Sequence, residues 1–381
     1  MTPVQTPPDL RSLTTLRFFA ALWVVMFAAW PHLDVGLVPT AVTKGYLGVE
    51  VFFVLSGFIL SHVYLEAAGP GRGFSYRGFL WARIARVYPL HLVTLAGMIA
   101  LGAAATIAGL TVSESLLDWR SLPAHLTLTH AWGLAASAAF NHPSWSISAE
   151  WFAYLSFPAF AWAAWRLRER PALAAAGAAV AALALYAVFE PVAGFSLTEA
   201  TFRWGALRIV PCFALGCALY LVHRRAPVRH AAWLAIAGAA GIVACASLAL
   251  WDPLVVLCAG ALILGLGGLD NARAGVLASK PAVYLGEISY SIYMVCAPVL
   301  LLGVNVAARL TGADDKRLHV IVWLAVLALI PVAAAATYHL VERPARKALR
   351  ALAAKNGSAS TGVDDGANSP ERVLQPSKTI V

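Results

Sequence analysis

The sequence predicts an all-α polytopic membrane protein, and three observations carry that assignment. Of its 381 residues 60% are hydrophobic and only 12% charged, against about 25% charged in a soluble domain. Apolar runs of bilayer-spanning length recur along the chain. Lys and Arg are shared unevenly between the segments that join those runs. No soluble catalytic domain of useful size is left over, and the formal charge of +9 fits basic cytoplasmic loops better than nucleic-acid binding.

Spans are expected near 15–32, 46–65, 87–110, 145–165, 171–190, 204–222, 231–250, 253–269, 283–308 and 318–340, about ten in all. The first, LRFFAALWVVMFAAW, is apolar except for Arg17. The second contains VEVFFVLSGFIL, interrupted by Ser56–Gly57, and the third follows FLWARIARVYP. Segment 111–144 is too long for a plain loop. Pro123 and the apolar patch 126–139 point to a re-entrant or interfacial piece, shielded by protein because loose backbone is not tolerated in lipid. The fourth span opens HPSWSISAEWFAYLSFP. The eighth is short and rich in glycine (Gly260, Gly265, Gly267, Gly268), which makes it the weakest helix. The ninth carries GEISYSIYMVCAP, and the tenth runs into YHLVERPARK.

Residues 1–12 form a short leading segment without the basic start of a secretory signal, so the first helix is expected to remain as an anchor. Residues 13–350 form the transmembrane domain. After Arg350 the composition turns to Gly, Ser, Asp, Asn and Pro, the mark of a disordered tail over 351–381. The Lys/Arg bias puts both termini in the cytoplasm. No internal repeat argues for an inverted-repeat transporter. The five cysteines show no CxxC spacing, so neither a metal site nor a disulfide framework is indicated.

Function is sought in the ionisable residues that a bilayer makes costly. Position 28 lies eleven residues after Arg17, about 20° from a whole number of turns and about 16 Å along the helix. The two share a face, a spacing suited to a long ligand held by its charged end. Arg83 and Arg86 share a face at the mouth of the third helix, and with Arg17 they form a cluster suited to phosphate. Each arginine taken singly also fits a boundary anchor or a lipid headgroup contact. Glu150, among Trp145, Ser146 and Trp151, needs a partner at its depth, and it could face position 28 across one site. Hydrogen bonding to Ser146, Ser148 or a neighbouring helix is the plainer role. Ser56–Gly57 reads first as a close helix contact and second as a narrow passage. Tyr290, Tyr293 and Cys296 form a collar of site-lining candidates, with Tyr293 and Cys296 at i, i+3. Glu342 is expected to pair with an arginine.

In order, these stretches resemble the membrane-bound acyltransferase 3 family: Arg17 with position 28, GYLGVEVFFVLSGFIL (45–60), RIAR (83–86) with Pro89, WSISAEWFAYLSFP (145–158), GEISYSIY (286–293) and YHLVERP (338–344). The resemblance covers roughly residues 14–347. It implies a multi-pass enzyme, here of a bacterial inner (plasma) membrane, that takes an acyl group, usually acetyl, from cytoplasmic acyl-CoA. The group passes to a hydroxyl of an extracytoplasmic or membrane-presented acceptor, often a glycan or glycolipid, without a metal. Arg17, Arg83 and Arg86 would then hold the coenzyme A phosphates, and the thioester arm would run past Ser56 and Gly57. A base at position 28 would take the acceptor proton, steadied by Glu150.

Two positions depart from the family pattern. Ala28 stands where the pattern has a histidine, and Cys296 where a histidine commonly follows the SYS-Y segment. Engineered loss of the base, a natural non-catalytic relative, and service by His32 are the three readings. Pro31 disturbs the turn that would bring His32 onto the same face, which favours loss. A non-catalytic binding module or lipid-linked sugar carrier on the same scaffold is the alternative from another class.

Overall fold

The computed structural model describes residues 9–110, 116–135, 137 and 139–360. Each of the ten expected runs is helical: α1 (Arg11–Ala29), α2 (Gly48–Tyr64), α3 (Tyr76–Ile107), α4 (Trp145–Leu155) with α5 (Phe157–Leu167), α6 (Pro171–Ala193), α7 (Gly205–Arg225), α8 (Ala231–Ser247), α9 (Pro253–Gly267), α10 (Ser289–Thr311) and α11 (Val320–Thr337). The fourth run is divided at Ser156, where Pro158 begins a new helix, as its fixed φ and missing N–H allow. Among the described residues seven helical spans are long and apolar enough to cross a membrane, and α8 and α9 are shorter apolar helices. A last helix, α12 (Arg343–Ser360), follows α11 through an irregular turn at Tyr338–Glu342. It continues past Arg350 into the tail expected to be disordered over 351–381, of which 351–360 is helical; residues 361–381 lie outside the described residues.

Ionic contacts bind the loops at the two ends of the bundle. At one end Glu66 receives Arg72 at 3.1 Å and Arg224 at 2.6 Å, and Arg225 donates to the Glu169 carbonyl. At the other, Asp252 accepts from Lys44 Nζ at 2.7 Å, Tyr46 Oη at 2.6 Å and Thr198 Oγ1 at 2.7 Å. The first of these ends also carries Arg17, Arg83, Arg86 and α12, and is called the arginine-rich end below.

Helix contacts are set by small residues, as they are where lipid removes the hydrophobic drive to associate. A Cβ on Gly57 would stand 2.1 Å from the Phe213 carbonyl oxygen, and one on Gly216 2.0 Å from that of Val54. The backbones of α2 and α7 therefore touch. Gly57 is a packing residue, not a passage. Gly265 does the same for α9 against α8, where a Cβ would lie 2.4 Å from the Ala235 nitrogen. The glycines that weaken α9 as an isolated helix are what seat it on its neighbour.

Segment 111–144, in its described part, is a set of short helical turns packed into the bundle: Trp119–Ser121, Leu122–Leu126, His130–Leu134 and His142–Ser144. Ser148 on α4 donates to the Leu128 carbonyl and accepts from the Ala131 N–H. The buried rings of His125 and His130 stack at 3.9 Å, and the His91 ring nitrogen meets the His125 carbonyl at 2.9 Å. Burial first, then neighbouring His91, pushes the His125 imidazole down from 6.5 to about 4.

Two outcomes follow. Gly57→Ala should separate α2 from α7, at a cost of about 1–3 kcal/mol or more, seen as a lower unfolding temperature in detergent; an unchanged temperature would refute the close contact. Between pH 6.5 and 4 the unfolded chain binds a proton at His125 that the folded chain does not. Stability should therefore fall as pH drops through that window, and less steeply in His125→Gln. Equal slopes in the two proteins would remove His125 as the cause.

Candidate active site

Helices α1, α2, α3, α4 and α10 line a cavity of about 110 Å³, whose arginines mark its mouth toward the arginine-rich end. Each supplies polar side chains from within an apolar helix: Arg17 from α1, Ser56 from α2, Arg83 and Arg86 from α3, Ser146 and Glu150 from α4, and Tyr290 and Tyr293 from α10. The three guanidiniums expected to converge do share this one space. The spacing of Arg83 and Arg86 at i, i+3 places both on the lining face of α3. The close seat of Gly286, where a Cβ would lie 2.0 Å from the Thr14 carbonyl oxygen, draws the start of α10 against α1 just before Arg17.

Arg83 is buried and enclosed by aromatic rings. Its guanidinium lies 5.5 Å from the Tyr64 ring, 5.9 Å from Phe79 and 6.0 Å from Tyr154, and Nη2 donates to Tyr64 Oη at 3.2 Å. Its Nε is buried with no partner among the described residues. Arg17 sits in the electrostatic field of Arg86, Glu342 and Glu150. Glu342 is buried and accepts from Ser291 Oγ at 2.9 Å through one oxygen. Its other oxygen has no described partner, and Arg86, Arg346 and Arg17 supply the positive field around it. It therefore faces the arginines without a direct ion pair among the described residues, beside the cavity but not in its lining.

Glu150 hydrogen-bonds one turn along its own helix, accepting from Tyr154 Oη at 2.9 Å. The two serines that offered an ordinary partner are engaged elsewhere: Ser146 with the Pro143 carbonyl, Ser148 with that of Leu128. A carboxylate bonded to a buried tyrosine and facing Arg17 can hold charge or exchange a proton inside the cavity.

Besides Gly57 and Glu342, three residues singled out in the sequence lie off the cavity. Ala28 packs against the cluster of Val25, Ala29, Ile292, Val295 and Cys296, so the expected meeting of position 28 with Glu150 is not seen. Cys296 belongs to that cluster and does not join Tyr293 in the lining. Phe52 touches both regions and meets Tyr293 edge-on at 6.2 Å, so this ring pair stands between cavity and cluster. Trp145 is buried beyond the lining. Among the described residues no group of His, Cys, Asp and Glu is placed to hold a metal ion.

A family model described as an acyltransferase domain matches residues 10–342. The chain belongs to the acyltransferase 3 family. It is 31% identical to acyltransferase MdmB of Streptomyces mycarofaciens, over 89% of this chain and 92% of that protein. It is also 40% identical to protein 2 in the picA locus of Rhizobium radiobacter, over 25% of this chain and 48% of that one. No solved structure matches. The protein is thus an acyltransferase with a multi-helix apolar bundle.

Sequence reasoning missed one pair in this acyltransferase. Arg208 of α7, which counts in the sequence as an outer-loop cation, is buried with Glu50 of α2. Its Nε and Nη2 reach the two carboxylate oxygens at 2.5 and 2.9 Å, and Nη1 donates to the Ala200 carbonyl at 2.9 Å. The Trp145 ring lies 4.7 Å from the guanidinium. The available signal was Glu50 itself, an acid in an apolar helix that demands a cation.

Removing one partner strands the other charge, at a cost of about 3–5 kcal/mol. Glu50→Gln and Arg208→Met should each lower the yield of folded acyltransferase sharply. The double variant should recover part of the loss. Strict additivity in unfolding temperature would mean that the pair is not coupled.

Proposed function

We propose that this acyltransferase is built to take an acyl group, acetyl by default, from cytoplasmic acyl-CoA and to pass it to a hydroxyl of a membrane-presented or extracytoplasmic acceptor, with a glycan or glycolipid as the class. The observation that carries the reading is the lining of one small cavity by Arg17, Arg83 and Arg86 together with Glu150. Guanidiniums are suited to paired phosphate oxygens, and the unpartnered Nε of Arg83 is a donor available to one. A cavity of about 110 Å³ suits a thioester arm better than a whole nucleotide, which would leave the nucleotide end at the arginine-rich end. Both termini are assigned to the cytoplasm by the Lys/Arg bias, which puts that mouth on the side where acyl-CoA is made. Bacterial relatives favour a bacterial inner membrane.

In the transfer the acceptor oxygen attacks the thioester carbonyl, its proton passes to a base, and the carbon–sulfur bond breaks to release the coenzyme A thiolate. Glu150, held by Tyr154 in the cavity that Arg17 also lines, would stand beside the donor arm and not beside position 28. Ala28 has only a methyl where the family resemblance implies a histidine, and a general base is worth typically about 10²–10⁴-fold. The chain as written is therefore a weak or silent transferase that still binds donor. His32 sits at the far end of α1, outside the cavity lining, and gives no substitute base.

Ala28→His with Cys296→His should raise acyl transfer to a sugar acceptor by orders of magnitude, and Ala28→His alone by much less, since only in the double variant does the added histidine gain a polar partner in an otherwise apolar cluster. Arg86→Ala should weaken acyl-CoA binding in both backgrounds. Donor binding with no transfer in either histidine variant would favour a binding module. Sugar-lipid movement in liposomes without acyl-CoA would favour a carrier.

A further inference from the structure

We propose that α12 completes the donor site: Arg346 and Arg350 form a second anion subsite at the arginine-rich mouth, for a phosphomonoester, which in acyl-CoA is the 3′-phosphate of the adenosine end. The inference rests on the acyl-CoA reading above.

Position comes first. The irregular turn Tyr338–Glu342 redirects the chain after α11, so that α12 lies against α3. Trp81 Nε1 donates to the Leu349 carbonyl at 2.7 Å, which fixes the residue before Arg350 beside the turn of α3 that carries Arg83 and Arg86. Arg346 and Arg350 stand at i, i+4 and share one face of α12. Both are half-buried there, whereas Arg343 and Lys347 are exposed.

Charge comes second. Arg346 lies in the field of Arg86 and Glu342, and Arg350 in the fields of Arg346, Arg83 and Arg86. Arg346 also hydrogen-bonds Tyr338, which a guanidinium with five donors can do while holding an anion. With Arg17 the mouth collects, among the described residues, five guanidiniums against Glu342 and Glu150, with Glu287 a further carboxylate bonded to Tyr338. Like charges gathered at a half-buried site repel one another unless an anion joins them. A pyrophosphate at Arg17, Arg83 and Arg86 uses part of that excess. A phosphomonoester, with about −1.5 to −2 charge near pH 7, more than offsets what is left.

The test measures binding of coenzyme A and of 3′-dephospho-coenzyme A to the full chain in discs of neutral lipid. The wild-type protein should prefer coenzyme A by on the order of tenfold. Arg346→Gln and Arg350→Gln should bring the ratio close to one while dephospho-coenzyme A binds as before, and Arg343→Gln should keep the wild-type ratio. Equal wild-type affinity for the two ligands overturns the subsite and leaves the donor reading standing; that comparison needs no variant to fold. A ratio that survives both glutamine substitutions also overturns it. If neither ligand binds the wild type, the donor reading falls and takes the subsite with it. If the substitutions release only vesicles containing anionic lipid, the occupant is a headgroup and the proposal is wrong.

Discussion

The bidentate pair of Arg208 and Glu50 is the constraint on which the site's geometry depends. It ties α7 to α2 in the interior, and the same two helices meet backbone to backbone at Gly57 and Gly216. Trp145 lies on the guanidinium and begins α4, so the helix that carries Ser146 and Glu150 is registered against a fixed charge. The Tyr46 carbonyl is 3.5 Å from Arg208 Nη2, and the Tyr46 hydroxyl bonds Asp252. This runs the polar framework out to the end of the bundle opposite the arginines. Buried ion pairs are weak sources of net stability but strong sources of register, because a shifted pairing strands two charges.

The arginine-rich end answers the same physics differently. Inside the bundle one guanidinium meets one carboxylate, and a backbone carbonyl takes a further donor. At the mouth the cations outnumber the acids, and aromatic faces around Arg83 supply only part of the missing compensation. Matched charge builds a scaffold; unmatched charge at an opening builds a site for an anion. The cavity joins the two regimes, with guanidiniums at its mouth and the Glu150–Tyr154 pair within.

What the sequence revealed and what it hid divide along this line. Helices were legible because spanning apolar runs have few alternatives in lipid. Arg17, Arg83, Arg86 and Glu150 were legible because each is an ionisable group in such a run. The break at Ser156 was not, since Pro158 sits inside a continuous apolar stretch. Arg208 was hidden because a cation near a span's end is normally a topological signal; only contact with Glu50, distant in sequence, distinguishes it. Whether Cys296 faces Tyr293's cavity or its neighbour's core could not be read from an i, i+3 spacing. That spacing leaves about 60° between side chains on the helix, enough to span the boundary between two clusters.

The two departures from the family pattern are best understood together. Ala28 on α1 and Cys296 on α10 are far apart in sequence, yet both belong to the packed region around Val25, Ala29, Ile292 and Val295. A lone histidine in such surroundings has buried ring nitrogens and nothing to bond, which is unfavourable. Two polar residues can satisfy each other, and two apolar ones can pack; one of each does neither well. Were histidines at both positions, as the family resemblance implies, losing one would remove the support for the other; with Ala28 and Cys296 the region packs as core. The Phe52–Tyr293 ring pair stands between the cavity and position 28, while the arginine mouth, whose side chains are held by other contacts, is left in place. The packing around position 28 can therefore change without disturbing the arginine-rich end, because the two draw on different contacts.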